Sequence, residues 1–435
     1  MNISASDVKD SKLTATVTIP AADVDAAIKK AYRAAAKQYR FPGFRAGKAP
    51  RQVIDSMLGT EAVLAQATND LIGASEPQIL NELDIVPVKD GNFQDIDMVK
   101  DHEDYTFAVE YSLRPAPELS SYEPVEIEMP PAEVTEAEID AQVDMLMSYH
   151  STFEDADRAV EDGDYVTADI KNVKNAEAIS GEGRMVAVGA GNLPKAFDEA
   201  LVGMKTGETK EVSWTPEVEG APEAAVEVTV KNVRERKTPE LTDEFVKENF
   251  GFDDIAAMRD AVKLELEADK TSQLPQLKEN RAVSKLAERL QLDEMDADYE
   301  QSVFQDLGQN FLQSLSSRGM TLDTWLSANG LTSEAFIADL HRQANDVARE
   351  SLALDALARE LKIEVTDEDI DEEFKRAGVA DVEASKKQFI AEGRMPAVRD
   401  SIRRSKAVDQ LVADAKVTEV DEFAKAAEEK GADAE

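Results

Sequence analysis

Ten residues decide how the rest of the chain is read: Phe41-Pro42-Gly43-Phe44-Arg45-Ala46-Gly47-Lys48-Ala49-Pro50. Two glycines and two prolines in so short a stretch cannot continue a helix, so the segment predicts a loop. Before it, residues 22–39 carry helical spacing through Ile28, Tyr32, Ala35 and Tyr39. After it, Pro50 is placed as a first helical residue ahead of Val53, Ile54, Met57 and Leu58. The reading is helix, exposed loop, helix, with Phe41 and Phe44 expected at the surface.

The charge around this loop runs against the rest of the chain. The protein has 435 residues with 49 basic and 89 acidic side chains, a net charge of −40. Between positions 26 and 54, however, stand Lys29, Lys30, Arg33, Lys37, Arg40, Arg45, Lys48 and Arg51, with no Asp or Glu. A run of charge is most simply a solvated helix face. Here the cations straddle a loop with aromatic residues, and forked Arg donors beside a dry aromatic anchor suit docking on a ribonucleoprotein surface. The acidic remainder opposes general binding to RNA or anionic membrane, because polyphosphate binding is driven by basic residues.

Other classes of function fall away on composition. Cysteine is absent, and the three histidines, His102, His150 and His341, are far apart, so neither a metal centre nor a cysteine or histidine catalytic set is expected. No apolar run approaches the ~20 residues of a spanning helix and no signal peptide is read, so the expected location is the cytoplasm, with no membrane partner. Gly189-Ala190-Gly191 lacks both a third glycine and a following Gly-Lys-Ser/Thr, so no nucleotide or other cofactor is expected.

Outward from the loop, four segments follow. Leu13, Ala15, Val17 and Ile19 alternate as a half-buried strand, as do Tyr105, Phe107, Val109, Tyr111 and Leu113, with helix between them broken at Pro77. Residues 1–115 therefore predict a small α+β domain. A connector rich in Pro and Glu and a strut helix capped by Thr135-x-x-Glu138 occupy 116–155. Short β-like runs punctuated by Gly, Asn and Pro predict a compact β-rich domain over 156–236. Residues 237–435 read as an all-α region with helix starts at Thr242, Thr366 and Thr418, a break at Pro275, and a frayed acidic tail over 424–435. Tyr299, Val303, Leu307, Phe311 and Leu315 form one apolar stripe, and Val347, Leu354, Ala358 and Leu361 another; helix-to-helix core is their simplest explanation.

The loop, with Gly43, Phe44, Arg45, Gly47, Lys48 and Pro50, resembles the ribosome-binding signature of bacterial trigger factors, G-F-R-x-G-K-x-P, at every fixed position. Chain length and the order of the four segments agree with that family along essentially the whole chain. The resemblance implies a multidomain α+β protein: a ribosome-binding domain, an FKBP-like domain, and a long helical domain with arms. It implies an ATP-independent chaperone that meets nascent and unfolded polypeptides at the exit tunnel of the large ribosomal subunit, touching ribosomal protein and rRNA. It leaves room for a homodimer off the ribosome. Family members often carry a second basic residue where Ala46 stands, so docking here leans on Arg45 and Lys48.

Residues 188–208 resemble the strand, helix and turn of an FKBP-like peptidyl-prolyl cis-trans isomerase. The resemblance places Ile170, Ile179, Leu193, Pro194, Phe197 and Val226 in the pocket. Phe197 keeps the floor aromatic, while Ile170, Ile179 and Val226 stand where the family has ring walls and the loop 216–220 lacks the family's tyrosine. Pro194 stands where a backbone N–H should meet the substrate carbonyl, and proline has none. The fold is expected to persist with weak catalysis. In the helical region, Met145, Met147, Met258, Met295, Met320 and Met395 are candidate adaptable contacts for clients. A ribosome-independent isomerase and an RNA-binding adaptor are the rival readings; the loop speaks against the first and the net charge against the second.

Overall fold

A computed structural model of the chain describes residues 1–94, 96–176, 179–190, 193–215, 223–421 and 423. Strands β1 (Asn2–Ala5) and β2 (Lys12–Ile19) lead into α1 (Ala21–Gln38), α2 (Arg51–Leu58) and α3 (Thr60–Leu83), then β3 (Asn92–Gln94), β4 (Tyr105–Ser112) and β5 (Glu126–Met129). Next come α4 (Glu136–Ser148), β6 (Thr152–Asp155), β7 (Tyr165–Lys174), β8 (Gly181–Ala187), α5 (Lys195–Leu201), β9 (Thr209–Trp214) and β10 (Ala224–Lys237). The remainder is α6 (Asp243–Asn249), α7 (Ile255–Ala287), α8 (Ala297–Ser317), α9 (Leu322–Asn329), α10 (Ser333–Glu360), α11 (Asp367–Arg376), α12 (Val382–Ala391), α13 (Met395–Asp414) and β11 (Lys416–Glu419). No described helix is long and apolar enough to cross a membrane. The fold is multidomain α+β, with a sheet-rich middle and a long helical C-terminal region. By its internal contacts the chain divides into two compact units, one of Met1–Met129 with Pro275–Thr418 and one of Pro130–Leu274.

Within the first unit, the N-terminal lobe is an antiparallel sheet in the order β1-β2-β4-β3. Alternation puts Leu13, Ala15, Val17 and Ile19 of β2 on one face, paired in register with Tyr111, Val109, Phe107 and Tyr105 of β4. All eight are buried and join Ile28 and Tyr32 of α1 and Ile72 and Ile79 of α3 in one core. That core, with the partly buried residues packed against it, contains no described residue beyond Leu113. The expected break at Pro77 does not occur, because α3 runs unbroken through it. An interior proline costs ~3 kcal/mol, and burial of Val63, Ala67, Ile72 and Ile79 along the same helix outweighs that. Likewise α7 passes through Pro275, with Ala282 and Leu286 buried beyond it.

The helical part of this unit packs α8 along α10. Tyr299 and Leu315 are buried and Val303, Leu307 and Phe311 half-buried, so the first stripe is largely core. The second stripe is split: Leu354 and Ala358 are buried while Val347 and Leu361 are exposed, because the inner face of α10 follows Leu340, Ala344, Ala348 and Leu352 instead. Thr366 forms the capping box of α11. Thr418 starts no helix; it lies in β11, which pairs with β5. The tail over 424–435 lies outside the described residues.

The connector between β4 and the end of β5 is strapped along its backbone. Arg359 donates to Pro117 O at 2.6 Å, Arg289 to Glu123 O and to Pro124 O at 3.4 Å, and Arg281 to Glu128 O at 2.5 Å.

In the second unit, β10 is the central strand. It pairs with β7 on one side and with β6 and β9 on the other, and β8 lies beyond β7. Its residues Val226, Val228, Val230 and Val233 are buried against Phe197 and Leu201 of α5. A separate cluster joins α4, α6 and α7 through Ile139, Val143, Met147, Val246, Met258 and Val262. The predicted capping box at Thr135 and Glu138 is present. Glu138 also meets Lys270 Nζ at 2.7 Å in a nearly buried pair, and the same ammonium donates to Pro131 O and Glu133 O, each at 2.8 Å.

Candidate functional site

The basic loop is built by folding back on the helix that precedes it. The C-cap N–H of Tyr39 closes α1 on Ala35 O, and Gly47 N then returns to Ala36 O at 2.7 Å. Between them two tight turns form, with Phe44 N donating to Phe41 O at 3.1 Å and Lys48 N to Arg45 O at 2.9 Å. Gly43 and Gly47 take φ of +84° and +77°, a left-handed conformation that only glycine adopts without strain. At Gly47 a Cβ would also press on Lys37 Cγ at 3.3 Å.

This geometry separates the two phenylalanines. Phe41, expected at the surface, is 4% exposed and packs into the lobe's core; Phe44 is 43% exposed at the tip. Arg45 and Lys48 are exposed beside it. Pro50 caps α2 in an extended conformation, so the helix starts one residue later than expected, at Arg51.

Arg51, counted with the basic run in the sequence, is used internally. It donates two bonds to Asp101, at 2.8 and 2.7 Å, and its guanidinium lies 4.5 Å from the ring centroid of Tyr32. The bond to Arg51 holds the Asp101 carboxyl below the ordinary range. Tyr32, its hydroxyl raised by burial and by its bond to Asp55 at 2.5 Å, completes a network that fixes α2 to α1. By contrast, Lys29, Lys30, Arg33, Lys37, Arg40, Arg45 and Lys48 pair with no carboxylate among the described residues. The surface left for a partner is an exposed aromatic ring, two loop cations, and five more along and just beyond α1.

In the middle domain, Ile170, Phe197 and Val226 lie together, each 3% exposed or less, with Ile179 and Leu193 packed against the same cluster. Pro194 caps α5, its carbonyl accepting from Phe197 N at 2.7 Å. The sequence-derived set thus comes together as a core of aliphatic side chains around one buried ring. Asp198 follows Phe197 into that interior, and burial raises its carboxyl. One of its oxygens has no hydrogen-bond partner among the described residues. The loop 216–220 and Gly191 lie outside the described residues.

The helical region offers a third feature. Phe311, Trp325 and Phe336 form a ring cluster where α8, α9 and α10 meet, with centroids 5.0 to 5.8 Å apart. Around it Leu312, Met320, Leu331 and Ile337 are exposed. Of the six methionines singled out, Met145 and Met320 are exposed, Met295 is half-buried, and Met147, Met258 and Met395 are core. Helical periodicity alone could not separate these two groups.

Comparison with known proteins follows the same division. Residues 1–146 match the family model described as bacterial trigger factor protein (TF), and residues 254–413 match that of the bacterial trigger factor protein (TF) C-terminus. A trigger factor of Lysinibacillus sphaericus is 32% identical over 418 residues, covering 93% of this chain and 97% of the relative. A trigger factor of Halothermothrix orenii is 30% identical over 433 residues, covering 95% and 99%. A solved structure titled "Promiscuous Substrate Recognition in Folding and Assembly Activities of the Trigger Factor Chaperone" aligns over 95% of this chain and 99% of its own at 20% identity. Its TM-score of 0.39 is too low for the two shapes to be compared.

Proposed function

The chain belongs to the bacterial trigger factor family, a family of chaperones, and from that membership we infer that it docks on the large ribosomal subunit at the exit tunnel through the loop 43–50 and receives nascent polypeptides. The observation that carries this reading is the unpaired basic surface around Phe44 in a protein of net charge −40. The cations of such a surface have been left free for a partner, and rRNA with its bound proteins offers both phosphate and apolar contacts. Clients would meet the exposed apolar residues around the Phe311, Trp325 and Phe336 cluster, scattered among charges so that binding is weak and reversible. The chain carries no phosphate-binding loop motif, and the action proposed is independent of ATP.

Co-sedimentation with purified ribosomes across a salt series tests the docking. Arg45 and Lys48 on two phosphates should weaken association roughly tenfold between about 50 and 200 mM salt, and engagement of the α1 cations would steepen this. An affinity indifferent to salt would refute a phosphate-rich dock.

The family is known for peptidyl-prolyl isomerase activity, and we propose that it is marginal here. Pro194 provides no N–H to a twisted substrate carbonyl, and Ile170, Ile179 and Val226 provide no ring walls. Loss of one preorganised donor costs about 10²–10³ in rate. Turnover of a proline tetrapeptide should therefore stay near the uncatalysed rate, in the native chain and in Phe197→Ala alike. Robust turnover that Phe197→Ala abolishes would overturn this reading of the pocket.

A further inference from the structure

We propose that residues 97–104 are the positioning element of the basic loop, locking together the two helices between which residues 39–50 are strung. The geometry stands by itself; its consequence rests on the docking read from that loop. Both helices begin after a proline, Pro20 before α1 and Pro50 before α2, and neither proline makes a side-chain cap. One distant segment secures both. Asp104 Oδ1 accepts from Ala21 N at 2.8 Å, satisfying an N–H that helix geometry leaves open. Asp101 receives the two bonds of Arg51, the first residue of α2. Between them His102 turns the segment onto α1: its N–H donates to Asp25 Oδ1 at 2.8 Å, and its ring Nδ1 lies 2.7 Å from Asp25 Oδ2. His102 has φ of +65°, a left-handed conformation uncommon for any residue but glycine, and this one carboxylate holds it there twice. Upstream, Val99 is fully buried in the lobe's core, and its N–H donates at 3.1 Å to Thr68 Oγ1 of α3.

This arrangement fixes the two ends of the loop against each other. The entry is Tyr39, carried at the end of α1, and the exit is Arg51. With α1 and Arg51 both bonded to residues 101–104, the span between entry and exit has a set length and direction, and Phe44, Arg45 and Lys48 are presented in one arrangement. A single exposed ion pair would contribute little to this. Here bonds to α1, α2 and α3 come from one short segment seated on a buried valine. A loop held in its binding arrangement beforehand is spared the ordering cost of docking. Charge alone predicts the opposite effect. Asp25 and Asp101 stand beside a cationic surface, so deleting them should strengthen its attraction to phosphate, and only a positioning role makes binding weaker.

Two pairs of substitutions in the full chain separate these effects. Asp25→Ala with Asp101→Ala removes both charges and their acceptors; Asp25→Asn with Asp101→Asn removes the same charges and keeps an acceptor at each place. Ribosome affinity should fall about tenfold in the alanine pair and stay within about threefold of native in the asparagine pair. A nitroxide on Ala46→Cys, an exposed loop position in a chain without cysteine, reads the loop itself. With no ribosome present, its electron paramagnetic resonance lines should sharpen in the alanine pair and not in the asparagine pair. The side chains of Asp25 and Asp101 are 34% and 39% exposed, so both pairs are expected to fold; should the alanine pair fail to, Asp101→Ala alone takes its place. A folded alanine variant with native label mobility overturns the positioning role, as does one that binds ribosomes as tightly as the asparagine pair. Failure of the native chain itself to sediment would overturn the docking instead, and label mobility would still decide the positioning.

Discussion

Replacing Phe44, Arg45 and Lys48 together by alanine is expected to reduce co-sedimentation with ribosomes to background, while the melting temperature moves by no more than about 2 °C. The stability expectation follows from exposure: all three side chains lie at the loop surface, and substitutions at such positions usually stay within about 0.5 kcal/mol. The binding expectation follows from concentration of the contact. One aromatic anchor and its adjacent forked or ammonium donors commonly carry most of a docking energy, and no other exposed ring lies in this loop. Phe41→Ala supplies the contrast. It stands three residues away and has the same chemistry, but its ring is buried, so its removal should cost about 3–5 kcal/mol of lobe stability. Sedimentation of the triple variant at the native level would sink the assignment of the loop.

In the second unit, Lys270→Met should destabilise the packing of α4 on α7 by about 3 kcal/mol, because breaking a buried pair leaves the other charge uncompensated. Lys270 and Glu138 side chains are 13% and 8% exposed, and the ammonium serves three acceptors at once. Methionine keeps the length of the stem but leaves Glu138 and two carbonyls without their donor. Glu138 retains its bond from Thr135 N at 2.9 Å, which holds the cost at the lower end of the range. Amide exchange of Ile139 to Met147 should accelerate by roughly a hundredfold, since each 1.4 kcal/mol is about a factor of ten. Adding Glu138→Gln should recover part of the loss, as the uncompensated charge is then gone. Unchanged protection along α4 would show that the pair contributes little.

The sequence disclosed what is local. The β2 and β4 alternations, the Thr135 and Thr366 caps, and the two glycines of the loop are set by neighbours within a few residues, and all are found in the structure. It failed where a distant partner decides. Pro77 and Pro275 look like breaks because their penalty is local, whereas the burial that keeps their helices whole comes from other elements. Phe41 and Phe44 are indistinguishable until Gly47 folds back on Ala36. Arg51 looks like another free cation until Asp101, fifty residues on, claims it. The charges that join Arg114 to Asp355 and Asp400 are separated by well over two hundred residues, and no window along the chain brings them together. The middle-domain positions came from likeness to a family, not from spacing; their common burial came from the structure.

The straps along the connector bear on how this protein can change over generations. Arg281, Arg289 and Arg359 grip carbonyl oxygens of residues 117–128, and every amino acid, proline included, presents the same carbonyl. Apart from the buried Leu119, Val125 and Ile127, the gripped segment is thus nearly indifferent to which side chains it carries, and mutations at its exposed positions should accumulate with little penalty. Arg289 has no such freedom, since its planar fork reaches the carbonyls of Ser121, Glu123 and Pro124 together and lysine cannot reproduce it. In a saturation mutagenesis screen scored for folded protein, tolerance should therefore be lopsided: permissive at the exposed positions of the held segment, strict at the distant Arg289 that holds it and at the segment's own buried Leu119, Val125 and Ile127.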